Sequence, residues 1–184
     1  QGIIANPNCS TIQMVVALNP LHKANPIKRI VVSTYQAVAG TGLAAVDELN
    51  KQICQVMKGQ DTSPSVYPHQ IAFNVIPFVD DFLDNGYTVE EWKMVTETRK
   101  IMHIPDLPVS ATCVRVPVYL SHSEAVNVEF TNPMTPQEAR DILHGAPGVE
   151  VTDDPSNHKY PMPLTATGRD EVLVVFKLTT FLIF

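Results

Sequence analysis

The chain has 184 residues, a net charge of −6 and a hydrophobic share of 45%, enough for one domain with a real core. The acidic balance argues against a nucleic-acid partner, which needs a basic surface. No apolar run is long enough to span a bilayer, so no membrane association is expected. Charged residues are sparse and there are 15 prolines, which favours a loop-rich α+β domain over a helical bundle.

Cys9, Cys54 and Cys113 are widely spaced, with no metal-type pairing. They read as free thiols in a reducing cytoplasm, and no metal site is expected. No secretory signal opens the sequence, and no Gly-x-Gly-x-x-Gly follows a strand. The chain begins almost on its first cysteine. It is therefore expected either to be a fragment or to need no nucleotide.

Asn6-Pro7-Asn8-Cys9-Ser10-Thr11 is a proline-bearing turn running into an apolar helix. Asn8, Cys9 or Ser10 falls near its cap, and Asn19-Pro20 or His22 near its end. A cysteine there faces unpaired backbone N–H groups and the positive end of the helix dipole, which favours the thiolate. Residues 28–34 read as a strand and 35–42 as a small-residue loop. Helical spacing from Leu43 continues to about Lys58, with Gly59 beyond it. Residues 60–69 read as a polar loop and 71–78 as a short apolar segment.

Thr88 and Glu91 form a capping box for a helix to about Met102. In the strand 109–118, Val109, Ala111, Cys113 and Arg115 share one face, and Pro117 marks an edge or an end. A second strand covers 124–130. A short helix from Thr135 to near Gly145 and a brief strand at 149–152 come next. A long polar loop at 153–168 leads to a terminal strand at 172–178. Mixed elements without strict βαβ repetition predict an α+β fold, with a mixed, largely antiparallel sheet and helices packed on one face.

A cysteine nucleophile needs a proton-handling partner, a substrate anchor and oxyanion donors. Among six histidines, His122 lies between two strands, seven residues after Arg115. A guanidinium leaving a semi-buried strand face pairs with a carboxylate or phosphate of the protein or of a ligand. Gln36 lies where a strand meets a glycine-rich loop. Glu90, Lys93, Glu97 and Lys100 form one helix stripe. It is either a solvated face laced with ion pairs or a ligand-reading surface, and spacing does not choose between the two pairs.

Together these segments resemble aspartate-semialdehyde dehydrogenase, in its catalytic and dimerisation portion. The blocks are Asn6 to Thr11, Thr34-Tyr35-Gln36-Ala37-Val38-Ala39-Gly40-Thr41-Gly42 and Ala72-Phe73-Asn74-Val75-Ile76-Pro77. Glu90 to Thr98, Val109 to Glu124 and Tyr160-Pro161-Met162-Pro163 complete them. The resemblance implies a glyceraldehyde-phosphate-dehydrogenase-like C-terminal domain over 1–184. It also implies an NADP-dependent interconversion of L-aspartyl-4-phosphate and L-aspartate-4-semialdehyde, in lysine, methionine and threonine biosynthesis.

Under that resemblance Cys9 is the nucleophile and His122 the acid/base. Arg115 clamps the substrate carboxylate, Gln36 orients the substrate, Glu90 reads its amino group and Lys93 binds phosphate. Ala39 and Gly40 fall where the family's backbone touches NADP, which the missing nucleotide-binding half mainly holds. A homodimer is implied. The family's Gly-Arg-Ile-Arg after Val174 is replaced by Val175-Phe176-Lys177-Leu178, so the tail reads as divergent or truncated.

The polypeptide alone is expected to be inactive. A dimerisation scaffold with an inert Cys9 is the alternative function. A hydrolase using Cys9, His122 and Asn74 is a third, more distant one.

Overall fold

The computed structural model describes residues 2–177 and 180–183. Helix α1 spans Cys9–Ala24 and strand β1 Ile27–Gln36, and a 3-10 turn at Val38–Thr41 leads into α2, Leu43–Met57. After a long connection come α3 (Val89–Met102), β2 (Val109–Arg115), β3 (Ser123–Phe130), α4 (Pro136–His144) and β4 (Val149–Val151). The short helix α5 (Pro163–Ala166) precedes β5 (Val172–Lys177) and β6 (Thr180–Ile183).

The strands form one sheet in the order β2-β1-β3-β6-β5-β4. β1 runs parallel to β2, and β4 parallel to β5; the pairs β1–β3, β3–β6 and β5–β6 are antiparallel. This is the mixed, largely antiparallel sheet expected from the sequence.

The core lies between one face of that sheet and helices α1, α3 and α4. Met14, Leu18 and Leu21 of α1 are fully buried against Ile30, Val32, Val126 and Val174 of the strands. Each such side chain contributes about 1.5–3 kcal/mol of burial. A second cluster joins Ala45 and Leu49 of α2 to Val38, Ile71, Ala72 and Ile76, beside the 3-10 turn. The opposite sheet face presents Val31, Ser33, Tyr35, Thr112, Val114 and Ala125, half-buried or exposed.

Several boundaries differ from expectation. Helix α1 runs through Pro20 to Ala24. Pro20 and Val16, whose carbonyl loses its partner there, are half-buried and line a groove beside α4 rather than the core. β1 continues through Tyr35 and Gln36 instead of ending at Thr34, because its ladder to β2 persists to Gln36 opposite Arg115. β2 ends at Arg115, whose N–H and carbonyl then bond Ile76. β2 is also the sheet's edge strand, so both meanings of Pro117 hold.

The 153–168 segment is not a plain loop but contains a 3-10 turn and α5. The tail forms two strands rather than one, although Leu178 lies outside the described residues. In β5, Leu173, Val174, Val175 and Phe176 are all buried, the signature of a strand covered on both faces. No described helix is long and apolar enough to cross a membrane.

Candidate functional site

Asn8, not Cys9 or Ser10, caps α1. Its Oδ1 accepts from the backbone N–H groups of Ser10 (3.0 Å) and Thr11 (3.1 Å). The same side chain turns its amide outward and donates from Nδ2 to Glu90 Oε2 at 2.9 Å. Its backbone N–H donates to Glu97 Oε2 at 2.8 Å. The residue before the cysteine is therefore fixed by two carboxylates of α3. Sequence reasoning missed this double use of Asn8; the local signal was the Asn–Cys–Ser–Thr cap itself.

Glu90 is buried in the capped first turn of α3. Its Oε1 accepts from Gln36 Nε2 at 3.0 Å, and the same Gln36 nitrogen lies 3.0 Å from Ser10 Oγ. Lys93 Nζ stands 3.9 Å from Glu90 Oε2 and 3.4 Å from Asp80 Oδ2. These groups line one cleft of about 380 Å³ with Cys9, Gly40, Thr41 and Arg115. On α3, Glu90 and Lys93 line the cleft, whereas Glu97 Oε2 accepts from the Asn8 N–H and Lys100 is exposed.

Arg115, at the end of β2, is almost fully buried and donates from Nη1 to Ala37 O at 2.7 Å. His122 approaches from the β2–β3 connection, and its Nδ1 accepts from the Ala37 backbone N–H at 2.9 Å. A backbone N–H can only donate, so Nδ1 carries the lone pair and the neutral ring holds its proton on Nε2. Burial, and then the Arg115 charge, push the His122 pKa down to about 4, against a smaller upward pull from Glu90. At neutral pH the ring is an uncharged Nε2–H donor.

Ring and guanidinium converge over Gly40. A Cβ built there would lie 3.0 Å from His122 Cε1, 3.1 Å from its Nε2 and 3.3 Å from Arg115 Nη1. Gly40 is exposed, so a planar group could approach bare backbone beside His122. The N–H groups of Ala39 and Gly40 are themselves committed, to Tyr119 O and Ala37 O. What this turn offers a ligand is shape rather than free amide donors.

The thiol corrects the expectation of a stabilised thiolate. Partial desolvation of the sulfur, on a residue whose surface is otherwise exposed, and then the Glu90 carboxylate push the Cys9 pKa above its ordinary value, outweighing the hydrogen bonds of Ser10 and the Cys9 N–H. The cap donors are in place, but a carboxylate of α3 shares the cleft. Glu90→Gln is therefore expected to move the midpoint of Cys9 alkylation to lower pH. Peptide-resolved mass spectrometry would separate Cys9 from Cys54, which is also exposed. An unchanged or raised midpoint would refute the Glu90 effect.

Cys113 is buried and pushed up to about 12, mainly by that burial, which suits an inert core thiol. Asn74 donates its amide to Gln70 O on an exposed loop and is not among the groups lining the Cys9 cleft, so the hydrolase triad is not assembled. Among the described residues no His, Cys, Asp and Glu group is arranged for a metal.

The semialdehyde dehydrogenase dimerisation-domain model matches residues 18–177. The aspartate-semialdehyde dehydrogenase of Aquifex aeolicus is 55% identical over 95% of this chain and 52% of its own length. The crystal structure of aspartate semialdehyde dehydrogenase II from Vibrio cholerae superposes with a TM-score of 0.94 at 44% identity, over 98% of this chain and 56% of that one. The same enzyme complexed with ASA gives 0.92 at 44% identity, over 98% and 55%. The chain thus spans about half the length of the curated relatives it matches. With that match covering most of its length, the chain belongs to the semialdehyde dehydrogenase dimerisation-domain family.

Proposed function

We propose that this chain supplies the catalytic half of an NADP-dependent aspartate-semialdehyde dehydrogenase. The reaction interconverts L-aspartyl-4-phosphate and L-aspartate-4-semialdehyde through a thioester on Cys9, within lysine, methionine and threonine biosynthesis. The observation that carries this reading is one cleft bounded by a thiol, two amides, two carboxylates and two cations; His122 is not among its lining residues, but its neutral ring packs behind Gly40 of the cleft wall.

In the acyl-phosphate direction the Cys9 thiolate adds to the carbonyl carbon. The oxygen gains charge and is met by the His122 Nε2–H. Collapse forms the thioester and expels phosphate, for which Lys93 is the cleft's ammonium once it leaves Asp80. When bound, NADPH supplies the hydride that reduces the thioester carbonyl. Release of the aldehyde then returns the sulfur as thiolate.

Arg115 takes the substrate's α-carboxylate as a fork, and Glu90 with Gln36 takes its ammonium. That ammonium also offsets the Glu90 charge that holds the thiol protonated. Three free cysteines support a cytoplasmic setting. The sheet face away from the helices is our candidate for homodimer contact.

The test joins this chain to the dinucleotide-binding half of a relative and follows phosphate-dependent reduction of NADP by the semialdehyde. Turnover is expected in the joined protein, absent from the chain alone and lost in Cys9→Ala. No turnover in the joined, folded protein, or turnover indifferent to Cys9→Ala, would overturn the reading.

A further inference from the structure

The 60–72 connection is polar and without regular structure, yet it is held tightly at one place. Glu48 of α2 is buried, and its Oε2 accepts from the Ser65 N–H at 2.7 Å, the Ser65 hydroxyl at 2.6 Å and the Val66 N–H at 2.6 Å. Burial pushes this carboxyl up, but those bonds win and hold its pKa below the ordinary value. One turn on, Gln52 Oε1 accepts from the N–H groups of Ile71 (2.9 Å) and Ala72 (3.1 Å). Two side chains of one helix thus fix both ends of the segment that carries Tyr67.

Tyr67 then reaches the cleft wall. Its hydroxyl donates to Thr41 Oγ1 at 2.9 Å and lies 3.5 Å from Val38 O, both on the 3-10 turn that carries Gly40. Its ring lies under the Arg115 guanidinium, with Cζ 6.0 Å from the centroid. Arg115 is otherwise held by Ala37 O on Nη1 alone among the described side-chain bonds.

We infer that Tyr67, presented by Glu48, is a positioning residue for Arg115: its ring backs the guanidinium so that the remaining N–H groups face a carboxylate ligand in the Cys9 cleft. The inference rests on the carboxylate-clamp role given to Arg115 above. A ring face attracts a cation without using any of its hydrogen-bond donors. The guanidinium is fixed in direction while its fork stays available, which an ion pair at the same place would not allow.

The test uses the chain as it is. Cys9 is alkylated with iodoacetate, which bears a carboxylate, and separately with neutral iodoacetamide, and the rate ratio is read at the Cys9 peptide. The iodoacetamide rate reports whether each variant keeps a folded, accessible Cys9. Relative to the unsubstituted chain, Arg115→Leu is expected to lower the ratio. Tyr67→Leu should lower it by at least about threefold, and Tyr67→Phe should restore it to within about twofold.

A ratio lowered by Arg115→Leu but unmoved by Tyr67→Leu overturns the inference and leaves the clamp standing. Equal losses in Tyr67→Phe and Tyr67→Leu overturn the role given to the ring. A ratio indifferent to Arg115→Leu overturns the clamp and the inference together.

Discussion

Gly40→Ala is expected to reduce turnover of the joined enzyme by roughly ten- to a hundred-fold while leaving the fold intact. The reason is space. The new methyl would sit 3.0 to 3.3 Å from His122 and Arg115, tighter than most real Cβ contacts, so a neighbour must move by a few tenths of an ångström. Neither neighbour yields easily: His122 accepts from the Ala37 N–H and Arg115 donates to the Ala37 carbonyl. Shifting either strains a bond to the same residue and misdirects a group of the proposed site. Misplacement of about 1 Å costs on the order of 10²-fold, which sets the upper end of the expected loss.

Gly42→Ala is the matching control. That residue has open space around it but φ of 107°, a conformation essentially reserved for glycine. Its substitution should cost about 1–3 kcal/mol of stability with a smaller effect on turnover per folded molecule. The pair is read by kcat/KM and by urea unfolding. A Gly40→Ala enzyme within twofold of the parent would refute the packing argument.

The second large effect concerns Glu124, two residues beyond His122 on β3. It is fully buried, and no hydrogen bond of ordinary length and angle reaches either carboxyl oxygen among the described residues, although the Gln13 side chain is near enough to favour the charged form. Burial pushes its pKa well above the ordinary 4.5; the Gln13 side chain pulls it down and the Glu90 charge pushes it further up. Ionising such a group in place costs several kcal/mol, so the folded chain keeps the proton.

The sign follows. The folded pKa is raised, so above about pH 4.5 the unfolded chain has released a proton that the folded chain retains. The Glu124 contribution to stability should then fall with rising pH by about 1.4 kcal/mol per unit until its folded pKa is reached, while His122, whose pKa is pushed down to about 4, adds a slope of opposite sign below about pH 6.5 in parent and variant alike. Glu124→Gln removes that slope, apart from a pH-independent offset for the buried amide. Urea unfolding at pH 5, 6.5 and 8 should show the variant's advantage growing with pH. A constant difference across the series would refute a neutral Glu124.

What the sequence made legible follows from local rules. The Thr88–Glu91 capping box forms as read, with both reciprocal bonds present. Period-two alternation put Arg115 on the face of Cys113, and both are buried there. What it concealed depends on partners far along the chain. Gln36 reads as a loop residue until the β1–β2 ladder draws it into the sheet. The cap physics at Cys9 is present, but the opposing carboxylate belongs to Glu90, which Asn8 meets across 82 residues.

Glu124 is equally opaque. A carboxyl on a core-facing strand position reads as half of an ion pair, and that no ion pair forms at Glu124 among the described residues is a tertiary fact. Tyr67 lies in a segment whose composition says loop. Capture of the segment by Glu48 and the hydroxyl bond to Thr41 give the ring its fixed direction.

The place of β6 has a consequence for how the molecule comes together. It separates β2-β1-β3 from β5-β4 as the shared middle strand. Residues 180–183 therefore stitch early-sequence and late-sequence ribbons into one sheet, a pairing of high contact order and correspondingly slow closure. Until they dock, β3 and β5 each expose an unsatisfied rim of backbone. A chain still emerging from the ribosome would be most vulnerable to mispairing during that interval.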